Sequence, residues 1–280
     1  MTAEPFSLLL PVYRRDRADH LERSLRSAVL EQERPPSEVV IVQDGPVGPG
    51  LVEVMSAFRA GTSVPVTAVA LQQNVGLGRA LDAGLDACRH DNVARQDADD
   101  ISLPQRFRVL LPIVEAGADL VGSGLLEFAE REDEIVGRRT PPTNPAEIAR
   151  VARFQDPFNH PSVVYRAGAV RAVGGYEDLP LMEDYWLFVR MIHNGAAVAN
   201  VADALVLYRV GSGAYARRGG RDLLRSELEL QRRMHATGFV SSAEYLRNVL
   251  VRGGYRLVPE RVRRVGYRRL LRSWQDAQPV

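Results

Sequence analysis

The first 125 residues alternate between short apolar runs and amphipathic stretches, and this alternation constrains the fold more than any other feature of the chain. Residues 6–10 form an apolar run that stops at Pro11, a pattern suited to a buried strand. Asp19, with Glu22 three residues later, has the spacing of a capping box, and Leu21, Leu25, Ala28 and Val29 form a helical stripe. Residues 39–42 are the next apolar run, ended by the turn sequence Gln43-Asp44-Gly45-Pro46. The pattern then predicts a helix over 51–58, a strand over 64–71 and a helix over 76–89. A short strand at 92–95, a helix at 103–115 and a strand at 118–122 follow. Strands separated by helices pair in parallel through right-handed crossovers, so the expected fold class is α/β with a mostly parallel sheet. In such sheets ligands sit beyond the carboxyl ends of the strands. Residues 11–15, Asp44, Asn74 and 97–100 are therefore expected on one rim.

From 125 to 210 the alternation is lost. Pro141, Pro142 and Pro145 mark a loop, a strand is expected over 159–165 and a helix over 181–194. Further strands are expected at 198–201 and 204–208, and the last 65 residues read as helical. A chain of 280 residues has room for one large α/β domain and an appendage. The expected division is 1–215, in halves 1–125 and 126–215, followed by a basic extension at 216–280. No apolar run reaches the roughly 18 residues of a membrane-spanning helix. The single cysteine, Cys88, excludes an intramolecular disulfide and reads as a packing residue. Net charge is +1, but from residue 216 onward 15 Arg face 6 acids, while the first 215 residues hold 21 Arg and 29 acids. All basic residues are arginine.

The strongest chemical signal is Asp97-Ala98-Asp99-Asp100 after the strand at 92–95. Three carboxylates in four residues repel one another unless a cation or solvent compensates, and such oxygen ligands suit Mg²⁺ or Mn²⁺. Extended backbone turns Asp97 and Asp99 to one side. The plain alternative is an acidic loop in which Asp100 or Ser102 caps the next helix. Asp44 can accept from a base imino group or merely form the turn with Gly45. Gly76 and Gly78 open a helix whose positive end can face phosphate, with Arg79 adding charge and Asn74 able to cap. Glu183 and Asp184 open another helix; either they complement its dipole, or Asp184 is a base among Tyr185, Trp186 and Phe188, whose rings can stack on sugars.

Several segments together resemble the family-2 glycosyltransferases of the GT-A fold, in particular a bacterial polysaccharide-building subgroup. They are Pro11-Val12-Tyr13-Arg14, Val40-Ile41-Val42-Gln43-Asp44-Gly45, Asn74-Val75-Gly76, Asp97-Ala98-Asp99-Asp100 through Arg106, Asn159-His160-Pro161-Ser162, Gly174-Gly175-Tyr176 and Met182-Glu183-Asp184-Tyr185-Trp186. The resemblance spans roughly residues 6–220. Arg14 stands where the family often has Asn, and Gln43 where it has Asp or Asn.

The resemblance implies an inverting transfer of a sugar from a nucleotide-diphosphate sugar, a UDP-sugar, to an acceptor hydroxyl. Asp184 is the implied general base. Asp99 and Asp97 are the implied ligands of Mg²⁺ or Mn²⁺, with Asp97 also at the donor. Pro11, Tyr13, Arg14, Asp44, Asn74, Gly76, Arg79, Asn159, His160, Glu183 and Trp186 are the implied substrate contacts, joined by Arg209, Arg217 and Arg218 at a loop over the diphosphate. His160, before a proline, also reads as a structural residue. The late metal-binding histidine of many relatives has only His235 as a counterpart after His193.

Two other readings compete. A sugar-phosphate nucleotidyltransferase would need a glycine-rich loop after the first strand and a lysine, and residues 11–17 lack the first while the chain lacks the second. A non-catalytic nucleotide-binding scaffold would have lost carboxylates that are here retained.

In the tail, Val262, Val265, Leu270 and Trp274 recur near helical spacing among Arg261, Arg264, Arg268 and Arg272. That pattern suits an anionic membrane surface and a lipid-linked or glycan acceptor. Homo-oligomer packing is the other outlet for the stripe, and no nucleic-acid module accompanies the arginines. The expected location is the cytoplasm, at the inner face of the cell membrane.

Overall fold

The computed structural model describes residues 4–210 and 221–257. Four parallel strands, β1 (Phe6–Tyr13), β2 (Glu38–Asp44), β3 (Val66–Ala70) and β4 (Asn92–Arg95), form the first half of the sheet in the order β3-β2-β1-β4. They are linked by α1 (Ala18–Leu25), α2 (Pro49–Gly61) and α3 (Leu77–Ala87). Central parallel strands are covered on both sides, which is why they read as continuous apolar runs. Leu8, Leu10, Val39 and Ile41 face α1 and α4 (Arg106–Glu115), packing on Leu21, Leu25, Phe107 and Leu110. Leu9, Val40 and Val42 face the other way, onto Leu81 and Leu85 of α3. Gly84 permits that approach: a Cβ there would stand 2.3 Å from Val42 Cγ2 and 2.5 Å from Leu9 Cδ1.

The sheet continues into the second half. β8 (Val164–Arg166) runs antiparallel between β4 and β6 (Leu120–Phe128), and β6 runs parallel to β9 (Val198–Arg209). The two-residue β5 (Ile101–Ser102) pairs antiparallel with Val206 and Leu207 of β9, and β7 (Ile135–Arg139) with β6. β6 continues through the Gly122-Ser123-Gly124 stretch, so the division expected between 125 and 126 falls inside this strand. The strands expected at 198–201 and 204–208 are one strand. Its register shifts opposite Ser123–Leu125, and a Cβ on Gly124 would meet the Ala202 carbonyl at 2.8 Å. Of the strand expected at 159–165, Val164 and Tyr165 belong to β8, while His160–Ser162 form a 3-10 turn, because Pro161 lacks the amide a ladder needs.

Helices α5 (Pro145–Ala152) and α6 (Ala167–Ala172) lie in the region without clear periodicity; Asn144 caps α5 by accepting from the amides of Ala146 and Glu147. Beyond α7 (Glu183–His193), the described part of the extension holds α8 (Arg221–Ala236) and α9 (Ser242–Asn248), the latter started by the Ser241/Glu244 capping box, and continues as helical turns to Leu257. Leu223, Leu230, Met234 and Phe239 pack against Tyr185, Trp186 and Val189 of α7. The extension is thereby joined to the helix that starts with Glu183 and Asp184. Among the described residues no helix is long and apolar enough to cross a membrane.

Candidate active site

Two clefts open at the carboxyl ends of the parallel strands. One, of about 730 Å³, is lined by Pro11, Tyr13, Asp44, Asn74, Gly76 and Asp99 among others. The second, of about 520 Å³, is lined by residues that include Asn159, His160 and Asp184. Leu77, Asp97, Glu183 and Tyr208 belong to both walls, so the two clefts meet there.

The acidic loop is built from beneath. Arg106, fully buried, donates to Gln96 Oε1 at 2.7 Å, to Ser102 Oγ at 2.8 Å and to the Arg95 carbonyl at 2.6 Å. Burial first, and the charge of Arg95 second, pull its guanidinium down to about 9. Gln96 Nε2 in turn holds the carbonyls of Asp97 and Asp100, and Ser24 Oγ donates to the Asp97 carbonyl at 2.6 Å. The backbone from Asp97 to Asp100 is consequently a turn and not extended. It is this turn, and not strand alternation, that gathers the carboxylates. Neither Asp100 nor Ser102 caps α4, whose N-cap is Gln105.

Carboxylate oxygens of Asp97, Asp99 and Asp100 lie within 4.8 Å of one another. The buried Arg95 pairs with Asp97, and Asp100 accepts the Arg209 amide at 2.9 Å. Arg209 Nε donates to the Asp99 carbonyl at 3.1 Å, with its guanidinium 4.4 Å from the Phe128 ring centre. Asp16, which belongs to none of the motifs, lines the same cleft and accepts the Tyr13 amide at 2.8 Å. Burial pushes its carboxyl up to about 7; the Tyr13 amide opposes the rise, and the charges of Asp99 and Asp97 add to it. Asp100 is raised well above its usual range by burial and then by Asp97 and Asp99.

Asp16, Asp97, Asp99 and Asp100 gather here with Arg95, Arg106 and Arg209, and the mutual repulsion that raises Asp16 and Asp100 is what a bound cation would relieve. Ligand oxygens of a six-coordinate cation at about 2.1 Å stand about 3 to 4.2 Å apart, close to the observed spread. Asp100 Oδ2 is buried without a hydrogen-bond partner among the described residues. The donor set and its charge fit a divalent cation of the Mg²⁺ or Mn²⁺ kind.

On the far side of this cleft Asp44 is already engaged. It accepts from the Val75 amide at 2.7 Å, the Asn74 side chain at 2.7 Å and the Gly76 amide at 3.2 Å. Asp44 therefore clamps the Asn74-Val75-Gly76 bend, with four acceptor positions and three donors on them. Gly45 (φ +81°) packs so tightly beneath that bend that a Cβ would meet the Asn74 nitrogen at 2.5 Å. Asn74 caps nothing: α3 starts at Gly76 (φ +92°) with no side-chain cap, which leaves its opening toward the cleft. Gly78 serves packing, since a Cβ there would stand 3.1 Å from both Glu183 Cβ and the Glu177 carbonyl.

Glu183 and Asp184 occupy the first turn of α7, where the helix dipole favours negative charge. Asp184 Oδ1 accepts the Tyr185 amide at 2.7 Å, and Oδ2 lies 3.7 Å from His160 Nδ1. Burial raises the Asp184 pKa against the Tyr185 amide and Arg95. Glu183 is pushed up to about 7 by burial and then by Asp184. His160 is held well below its ordinary value by burial and by Arg95, so it is neutral at pH 7; its Nε2 is 3.1 Å from the Tyr176 hydroxyl. Asn159 donates to the Ser123 carbonyl at 2.9 Å, which leaves its oxygen for the cleft.

Several expected contacts are not in either cleft. Trp186 is 4% exposed and packs against α8, its indole nitrogen donating to Glu177 at 2.9 Å; it cannot stack on a sugar. Tyr185, hydrogen-bonded to the Ala152 carbonyl, and Phe188, stacked on Phe158, are likewise core residues. Arg14 is exposed at the turn after β1 and lines neither cleft. Arg79 points outward to an exposed ion pair with Asp178 at 3.1 Å. Arg217 and Arg218 lie outside the described residues. Conversely, Asp16, Arg95 and Asp156 line the clefts although no motif marks them as site residues. Asp16 alone carries a local signal, standing three residues after Tyr13 in a turn that the strand pattern assigns to the rim.

A strand-end rim of carboxylates on a half-parallel sheet, with a second cleft across it, can hold a cation and a diphosphate beside a second substrate. Residues 7–172 match the profile of Glycosyl transferase family 2. The chain is 38% identical over 262 residues to the amylovoran biosynthesis glycosyltransferase AmsE of Erwinia amylovora, covering 92% of this chain and 96% of that one. It is 31% identical over 272 residues to the UDP-Gal:alpha-D-GlcNAc-diphosphoundecaprenol beta-1,3-galactosyltransferase of Escherichia coli, covering 96% and 97%. The chain belongs to glycosyl transferase family 2. The fold is shared with S. aureus TarS 1–349 in complex with UDP-GlcNAc, at TM-score 0.65 and 16% identity over 88% of this chain and 73% of that chain. It is shared also with the mannosyltransferase PcManGT from Pyrobaculum calidifontis in complex with GDP-Man and Mn²⁺, at TM-score 0.62 and 16% identity over 98% and 76%.

Proposed function

We propose that this glycosyltransferase moves a sugar from a UDP-sugar to a hydroxyl of a lipid-linked or glycan acceptor, with inversion, during assembly of a cell-surface polysaccharide. The observation that carries the reading is the junction of the two clefts: Glu183 and Asp97 are in both walls, Asp99 is on one side and Asp184 on the other. In this reading the larger cleft takes the donor and the smaller the acceptor. Asp97 and Asp99 would hold Mg²⁺ or Mn²⁺, which supplies electrostatic stabilisation to the departing diphosphate. Asp184 takes the proton of the attacking hydroxyl as the new bond to the anomeric carbon forms. The bond to the diphosphate oxygen breaks on the opposite face, which inverts the centre. The Tyr185 amide and Arg95 oppose the rise that burial imposes on the Asp184 pKa, and neutral His160 adds no charge of its own. Arg209 is set to steady the acidic loop through Asp99 and Asp100.

The UDP donor and lipid-diphosphate acceptor are supported by the named activity of the Escherichia coli relative. Contact with the inner face of the membrane is supported by the extension: Leu246, Leu250, Val251 and Tyr255 are 58%, 65%, 54% and 44% exposed, just ahead of the arginine-rich end of the chain. Exposed apolar side chains beside basic ones suit an anionic bilayer surface. The test is transfer from UDP-galactose, UDP-glucose and UDP-GlcNAc, with Mn²⁺ or Mg²⁺, to a panel of alkyl-diphosphate-linked hexoses and N-acetylhexosamines. The product's anomeric coupling is read by NMR. A glycoside of opposite configuration to the donor is expected; retention, or no transfer across the panel, overturns the reading.

A further inference from the structure

Asp156 stands in the wall of the smaller cleft together with Asp184. Its Oδ1 accepts the Phe158 amide at 2.9 Å, closing a local turn, and its Oδ2 has no hydrogen-bond partner among the described residues. The two carboxyl groups share one cleft wall, and after burial the negative charge of Asp184 is the largest influence raising the pKa of Asp156. A turn alone needs one acceptor, and Asn or Ser would supply it without the cost of ionising a second carboxyl group in the wall that holds Asp184. That cost is explained if the outer oxygen has a ligand.

The rest of the wall says what kind of ligand. The cleft wall around Asp184 offers acceptors in Glu183, Asp156 and the Asn159 amide oxygen left by its bond to Ser123, and nitrogen groups in His160 and Arg95. Pro141, Pro142 and Phe158 add apolar surface to the same cleft. Polar groups of both kinds together with apolar surface match a pyranose, whose hydroxyls donate and accept and whose ring face carries C–H groups.

We propose that Asp156 is a specificity-determining residue for the acceptor sugar: its Oδ2 accepts a hydrogen bond from a second, non-reacting hydroxyl while Asp184 receives the proton of the reacting one. The proposal rests on the assignment of this cleft to the acceptor. Two carboxyl groups in one wall select a sugar with two hydroxyls presented to that wall and disfavour one in which the second is missing or substituted.

Asp156→Asn tests this without disturbing the turn, because its Oδ1 still accepts the Phe158 amide. The other position becomes an NH₂ donor, reversing the polarity that meets the sugar. Steady-state kinetics on an alkyl-diphosphate-linked acceptor that the wild type uses should show the acceptor KM raised about tenfold to a hundredfold, the scale of a hydrogen bond to a charged group. Donor KM, kcat at saturating acceptor and Tm should change little. Among monodeoxy forms of that acceptor, the one lacking the recognised hydroxyl should be poor for the wild type and no poorer for Asp156→Asn, since both remove one interaction. An unchanged acceptor KM, or losses that simply add for every deoxy acceptor, overturns the proposal while leaving the transfer reading intact. A fall in kcat and Tm with no acceptor discrimination marks a structural role and also overturns it. Failure of the wild type on every acceptor removes the proposal together with the reading beneath it.

Discussion

Replacing Asp184 by Asn should separate chemistry from binding and from folding. Asn keeps the oxygen that accepts the Tyr185 amide at 2.7 Å, so the first turn of α7 is preserved. The group lost lies 3.7 Å from a histidine that is neutral, and no ion pair is broken. What disappears is the proton acceptor, and positioned general bases contribute about 10²- to 10⁴-fold in rate. That range corresponds to about 3 to 5.5 kcal/mol in the activation barrier. Stability should move the other way. Because burial raises the Asp184 pKa above its unfolded value, the unfolded chain releases this proton more readily, and ionisation at neutral pH favours unfolding. The Asn variant should hold or gain Tm at pH 7 to 8, with the gain vanishing in acid, where both states keep the proton. Nucleotide release in steady state measures kcat, titration calorimetry the donor affinity, and thermal melts the stability. Turnover within tenfold of the wild type would refute the base assignment. Loss of turnover accompanied by a collapsed Tm would refute the claim that the variant isolates chemistry.

Asp99→Asn should weaken donor binding at least tenfold in Mn²⁺ and leave it unchanged in chelator, by calorimetry; equal affinities in Mn²⁺ would remove Asp99 from the cation site. Glu183 has a folded pKa of about 7 against an ordinary 4.5, so its ionisation opposes folding as pH rises through that interval. Glu183→Gln should therefore be more stable in urea at pH 8, by ~3 kcal/mol at most, and show no gain at pH 4.5. A gain that is the same at both pH values would contradict the burial argument. Gly84→Ala should cost about 1 to 3 kcal/mol, since its methyl would overlap Leu9 and Val42 across α3 and the sheet. An unchanged urea midpoint would show that this packing yields easily.

Much of the framework is legible in the amino-acid pattern. The runs at 6–10 and 39–42 and the helix at 76–89 carry local periodicities, and their alternation dictates which strand ends share a rim. Legibility fails where contacts are distant in sequence. α5 and α6 have too little periodic length to stand out, and β6 runs through two glycines that look like a break. Trp186 reads as a sugar platform because it is aromatic and close to Asp184 in the chain. It is turned inward because α8, some 40 residues later, covers that side of α7 and Glu177 takes its N–H.

The sequence by itself determined the order of strands and helices in the first half and the identity of the rim that carries Asp44, Asp97 and Asp99, because strand and helix periodicity is a local property. Only the tertiary structure decided which charges face one another. It turned Arg95 beneath Asp97, added Asp16 to the acidic rim, occupied Asp44 with the Asn74-Val75-Gly76 bend and put Asp156 into the cleft that holds Asp184. Burial and charge proximity belong to chain segments tens of residues apart, so they exist only once the sheet has brought its strand ends together.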